Sequence, residues 1–228
     1  MSWQSMTDEL RVGDRRIQSF AWYGKLPSAG DFISRRMPYV LQQFWDAWLA
    51  AGMESLKERH PVPGWAVWGT MPKWAFLLPC QPGVPIAQLG VLAPSCDRVG
   101  RVFPFLATTA VVPDNAAHLL PRAGAISLAW GAVIADAQTA RSMVEAVDAR
   151  LGEALSTTLA NDIPLGDTEV TLPQGASPAT LPWPSIVDQF DIQGSESFWW
   201  SVPPEHTGFR AKTHQGPLNA AQFCGLSL

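Results

Sequence analysis

Apolar residues follow two rhythms along this chain, one continuous and one helical. Phe20-Ala21-Trp22-Tyr23 is an unbroken apolar run that predicts a buried strand entering a tight loop at Lys25. From Pro38 the period lengthens. Leu41, Phe44, Trp45, Trp48, Leu49, Gly52 and Leu56 fall on one helical stripe, with Gln42, Gln43, Asp46, Glu54, Lys57 and Glu58 opposite. Pro38 suits the first turn of that helix, where a missing N–H costs nothing. Trp45 and Trp48 then point into a core, and Gly52 on the same stripe would let a neighbouring backbone come close. His60-Pro61-Val62-Pro63-Gly64 ends the helix. Trp65 to Trp68 fits either a helical turn or a short strand. Three strands follow, Trp74 to Leu78, Ile86 to Ala93 and Phe103 to Val112, with a Pro- and Gly-rich turn over 81–85. Their short connections predict antiparallel neighbours.

A helical region opens at Pro113-Asp114. From Ile126 the positions Trp130, Val133, Ala137, Ala140, Val144, Val147, Leu151, Leu155 and Leu159 make one apolar face. A single helix of that length is unusual in a domain, so the pattern predicts two helices with a break near Asp136 to Thr139. Many face positions are Ala, which favours packing on a sheet over a coiled-coil seam. Residues 161–185 are rich in Pro, Gly, Ser and Thr and read as loop. Phe198 to Val202 predicts a late strand, Gly208 to Thr213 its hairpin partner, and Pro217 to Phe223 a last helical turn stopped by Gly225. The chain therefore divides into a polar leader (1–18), an α+β domain (19–160) built on a largely antiparallel sheet, and an extension (161–228) packed on it.

Composition narrows the function classes. The 228 residues suffice for a sizeable core. A formal net charge of −4 disfavours a nucleic-acid surface, and the doublets Arg15-Arg16 and Arg35-Arg36 are too short to change that. Asp8, Glu9, Arg11 and Asp14 interrupt any signal-like apolar run. Ala123 to Ala135 is too short to cross a bilayer, so a soluble protein without membrane insertion is expected. Cys80, Cys96 and Cys224 are odd in number and widely spaced, which fits a reducing compartment and buried thiols. Eleven tryptophans stand out. They serve cores and binding hot spots alike.

Two loops carry the densest punctuation. Tyr23-Gly24-Lys25-Leu26-Pro27-Ser28-Ala29-Gly30-Asp31-Phe32 and Pro94-Ser95-Cys96-Asp97-Arg98-Val99-Gly100-Arg101-Val102-Phe103-Pro104 each set Gly and Pro around an Asp. Gly24, Gly30 and Gly100 sit where chains turn, and Pro27 biases Leu26 toward an extended backbone. Asp31 has two readings: cap of a short helical turn at Phe32, or partner of an arginine from the second loop. Asp97 and Arg101 can meet across a turn. Arginine suits such carboxylates because its planar fork grips two oxygens. The charges either lock the loops together or form a docking surface.

Gly24-Lys25-Leu26-Pro27, Gly30-Asp31-Phe32, Phe44-Trp45-Asp46-Ala47-Trp48-Leu49, Trp74-Ala75-Phe76, and Pro94-Ser95 with Asp97-Arg98-Val99-Gly100-Arg101 and Pro104 together resemble the TagF family, associated with bacterial type VI secretion. The resemblance covers residues 20–112 and, more loosely, the helices after them; Cys96 is an insertion to which it gives no function. It implies a mixed sheet with helices on both faces, similar to longin or profilin domains. It also implies a cytoplasmic, post-translational repressor that engages the forkhead-associated scaffold protein of the system, opposing the threonine-phosphorylation pathway or acting beside it. No cofactor or small-molecule substrate is implied. The candidate partner contacts are Asp31, Arg35, Asp97, Arg98 and Arg101; Gly24, Pro27, Gly30, Phe32, Trp45, Trp48, Trp74, Ser95, Gly100 and Pro104 are the structural motif positions.

Enzymatic signatures are missing. The sequence contains no phosphate-cradling glycine motif, no H-E-x-x-H and no nucleophile elbow. His60, His118, His206 and His214 lack ligand spacing; on adjacent hairpin strands His206 and His214 would approach each other, with an exposed or structural role favoured over a metal site. Two alternatives remain: a hydrolase assembled in the fold from Asp31, Ser95, Asp97 and a histidine, and a ligand-binding module that uses surface tryptophans.

Overall fold

The computed structural model describes residues 20–59, 71–160, 186–202 and 210–227. Its strands are β1 (Phe20–Gly24), β2 (Ile33–Arg35), β3 (Lys73–Leu78), β4 (Ala87–Ala93), β5 (Phe105–Val111), β6 (Glu196–Val202) and β7 (Ala211–Gln215). They form one seven-stranded sheet in the order β2-β1-β5-β4-β3-β6-β7. Every pairing is antiparallel. The helices are α1 (Tyr39–Arg59), α2 (Pro113–Leu119), α3 (Ala123–Ala140), α4 (Val144–Ala160), α5 (Ile186–Gln189) and α6 (Ala220–Leu226), with a 3₁₀ turn at Leu120–Arg122.

The central strands are buried along their whole length because both sheet faces are covered. On one face Trp22, Ala75, Leu77, Leu89, Val91 and Phe105 pack with Ile126, Trp130 and Ile134 of α3 and Val147 and Leu151 of α4. On the other, Trp74, Phe76, Leu92, Leu106 and Trp199 pack with Trp45, Trp48 and Leu49 of α1 and Phe223 of α6. The α1 stripe read from the sequence is the buried face of that helix. Gly52 does not receive a backbone as its place on the stripe suggested: the Phe223 ring fills the space, and an added Cβ would lie 2.3 Å from it.

The seven tryptophans within the described residues, Trp22, Trp45, Trp48, Trp74, Trp130, Trp199 and Trp200, are all buried. Burial of an indole demands an acceptor for its N–H. Trp45 donates to Gln88 Oε1 (2.9 Å), Trp48 to the Asn219 carbonyl (2.9 Å), Trp74 to the Leu226 carbonyl (2.9 Å) and Trp130 to the Leu151 carbonyl (3.0 Å). None of the seven offers a surface platform for a ligand.

Several boundaries differ from the sequence reading. No helical turn begins at Phe32. Asp31 Oδ1 does accept the Phe32 N–H (2.8 Å), but the chain continues into β2, which pairs with β1 at the sheet edge. The helix break falls at Arg141, which is left-handed (φ 49°), and not at Asp136 to Thr139. Asp136 and Thr139 lie on the exposed side, where a polar residue leaves the helix intact. Gly225 does not stop the last helix, which runs on to Leu226, a buried residue whose carbonyl is held by Trp74.

The final strands belong to the same sheet, since β6 pairs with β3 and β7 with β6. The stretch Pro113–Ala140 is long and apolar enough to cross a membrane by length and composition. Its apolar residues Ile126, Trp130, Val133 and Ile134 are buried against the sheet. The three cysteines are free; Cys224 is buried as expected, whereas Cys80 and Cys96 are partly exposed. The leader, the segments at 60–70 and 161–185, and His206 lie outside the described residues. His214 Nε2 faces the Pro217 carbonyl (3.1 Å), and no metal-holding cluster occurs among the described residues.

Candidate functional site

The two punctuated loops meet where β1 ends. Gly24 takes φ 134°, and a Cβ there would lie 2.1 Å from the Pro104 carbonyl oxygen. Only glycine allows β1 to run so close to the strand that follows the second loop. This approach brings Lys25 under the second loop, where its side chain is almost wholly buried.

Asp97 organises the junction. It is 2% exposed. Its Oδ2 accepts from Lys25 Nζ (3.1 Å) and Arg101 Nε (2.6 Å). Its Oδ1 accepts the backbone N–H groups of Val99 (3.1 Å) and Arg101 (2.9 Å). The main chain closes around it: Asp97 N–H donates to the Arg101 carbonyl (3.0 Å), and Gly100, at φ 85°, donates to the Asp97 carbonyl (2.9 Å). Burial pushes the Asp97 carboxyl up. The four donors outweigh that effect and hold it well below the usual carboxylate range.

Cross-links fix one loop to the other. Ser95 Oγ donates to the Lys25 carbonyl (2.7 Å), Arg98 N–H to the Ala29 carbonyl (2.7 Å) and Arg101 Nη2 to the Gly30 carbonyl (2.7 Å). Lys25 Nζ also sits 4.9 Å from the centre of the Phe32 ring. That ring stacks on Tyr23 (5.7 Å) and meets Phe103 edge-on (4.7 Å). Tyr23 in turn donates to Asp46 Oδ1 of α1 (2.9 Å), and burial first, then that carboxylate, push its phenol far up.

A second ionic contact lies behind the hairpin. Arg36, left-handed at φ 53°, grips Asp148 of α4 with both terminal nitrogens and donates through Nε to the Phe20 carbonyl (2.8 Å). Trp22 Nε1 donates to the same carboxylate (2.6 Å). Burial raises the Asp148 carboxyl, but Arg36 and Trp22 outweigh it and the group ends below its ordinary value.

The candidate contacts thus separate. Asp31 and Arg98 are exposed, and the Arg101 side chain is largely exposed beyond its anchored Nε. Arg35 is partly exposed and faces Glu145 at 3.9 Å. Asp97 is not an exposed contact: it lies under its own turn with every oxygen engaged. Asp31 makes no ion pair among the described residues; Arg101 goes instead to Asp97 and to the Gly30 carbonyl, and the Arg98 side chain stays exposed. Ser95 and Asp97, the proposed hydrolase pair, do not form a nucleophile and base. The Ser95 hydroxyl donates to a main-chain carbonyl, and the Asp97 carboxylate is saturated. Lys25, Arg36 and Asp148 escaped sequence reasoning. A lysine between Gly24 and Leu26, at the end of an apolar strand, was the available signal for the first.

The sequence model of the TagF N-terminal domain, described as type VI secretion system-associated, matches residues 21–157. The chain belongs to the TagF family. Both interlocked loops, α1 and β3–β5 fall within the matched part of this TagF-family chain. Among solved structures it is similar to PA0076 from Pseudomonas aeruginosa PAO1, with 25% identity and a TM-score of 0.65. That likeness covers 91% of this chain and 93% of the other, so it extends past the matched domain. No curated protein matches the sequence.

Proposed function

We propose that this TagF-family protein restrains type VI secretion from the cytoplasm by binding, and that it sequesters the forkhead-associated scaffold protein without turnover or cofactor. Membership of a family associated with type VI secretion carries the reading. The loop pair supports it: hydrogen bonds hold both loops in one conformation, so little ordering entropy would be lost on docking. Arg98 and Arg101 reach solvent from that frame.

Stoichiometry separates binding from catalysis. Secretion is expected to fall as the ratio of this protein to the scaffold rises, and to return when the scaffold is overproduced with it. The purified pair should co-elute from a sizing column. Repression persisting at a small fraction of the scaffold concentration, or the absence of a complex between the purified proteins, would defeat the proposal.

A further inference from the structure

Among the exposed large apolar residues, Phe32 (43%) and Val99 (71%) sit on the two interlocked loops. Tyr39, Val40 and Met143 are exposed elsewhere, on α1 and between α3 and α4. Isolated surface apolar residues are ordinary. Phe32 and Val99 differ in being positioned by the same ion. The Lys25 ammonium lies 4.9 Å from the centre of the Phe32 ring and 3.1 Å from Asp97, and Asp97 holds the Val99 N–H. Tyr23 and Phe103 brace the Phe32 ring from beneath and from the side. A rigid, half-exposed aromatic on a braced loop is the form that binding hot spots take.

The charge beside them is opposite in sign to the whole molecule. The chain carries −4, yet the segments 25–31 and 95–101 contain Lys25, Arg98 and Arg101 against Asp31 and Asp97. Buried Asp97 balances buried Lys25, which leaves Arg98 and Arg101 against the single carboxylate of Asp31 at the surface. The Arg98 guanidinium has no ion pair among the described residues and lies over Gly30, where a Cβ would stand 3.4 Å from its Nη2. Guanidinium groups at the border of an apolar pair favour carboxylates, which they bind in a bidentate manner.

Resting on the proposed function, we infer that the protein partner docks on the Phe32–Val99 ridge through an acidic segment, with its apolar side chains against Phe32 and Val99 and its carboxylates on Arg98 and Arg101. The ridge supplies desolvated area, and the arginines supply steering and register.

Calorimetric titration of the full chain with the purified scaffold tests this. Val99→Asp and Arg98→Glu alter exposed side chains and should leave the melting temperature unchanged. Each is expected to weaken binding by about tenfold or more. Raising ionic strength should weaken the wild type more than Arg98→Glu. Met143→Asp, away from the loops, should bind as wild type does. If the wild type binds and both loop variants bind equally well, the ridge is not the site, while the sequestration reading survives. Tighter binding by Arg98→Glu would mean a basic contact and overturn the inference. If the wild type fails to bind, the sequestration reading falls and takes the inference with it.

Discussion

Trp45→Ala should lower the unfolding free energy by roughly 3–5 kcal/mol, the usual result of removing a buried large aromatic. Trp45 is fully buried, with Phe44, Trp48 and Phe76 rings 5.1–5.6 Å from its own. The change would leave a cavity where α1 crosses the sheet. It would also remove the indole donor from Gln88 Oε1, a group that among the described residues otherwise receives only Thr108 Oγ1, at 3.3 Å. Domains of this kind are stable by about 5–15 kcal/mol, so a loss of that size is a large share of the total. Urea unfolding checks it, with Trp45→Phe as the milder comparison. A midpoint within experimental error of wild type would mean that α1 is not anchored through this ring.

The second large effect concerns acid. Asp97 has its carboxyl held below the ordinary range in the folded state, so ionisation of this group favours folding. That contribution is complete at pH values above the unfolded carboxylate pKa of about 3.9 and drains away as pH falls toward the folded value. Asp97→Asn should therefore melt at a lower temperature than wild type at neutral pH. Its melting temperature should also fall less steeply below about pH 4 than that of the wild type. Some acid sensitivity should remain, because Asp148 is shifted in the same direction by Arg36 and Trp22. Melting curves of both proteins across the acid range decide the matter. Parallel profiles would show that the loop junction is not governed by this ionisation.

Much of the fold was legible because its elements bury one face or two. The α1 stripe and the run from β3 to β5 are periodic signals that tertiary packing reinforces. β2 was not legible: three residues, Ile-Ser-Arg, carry no period, and their pairing with β1 is set by the hairpin geometry rather than by their own pattern. The break after α3 was misplaced because a polar pair, Asp136 and Thr139, reads the same whether a helix ends there or turns that side to solvent. At the loops, residue types revealed that charges would meet but not which carboxylate would be covered. Asp31 and Asp97 sit in similar strings. What distinguishes them is the turn closed by Gly100, which folds the chain over Asp97, and the entry of Lys25 from a distant strand. Arg36 and Asp148 lie far apart in sequence, and no local pattern joins them.

The pairing of β6 with β3 has a consequence for where this molecule can be cut. The segment matched to the family stops at residue 157, yet β3 relies on a neighbour that arrives some forty positions later, and α1 leans on Phe223 near the far end of the chain. A fragment trimmed to the family boundary would present an unprotected strand edge and a bare tryptophan-lined surface to other copies of itself, an invitation to aggregate. The segment matched to the family is smaller than the unit that packs together.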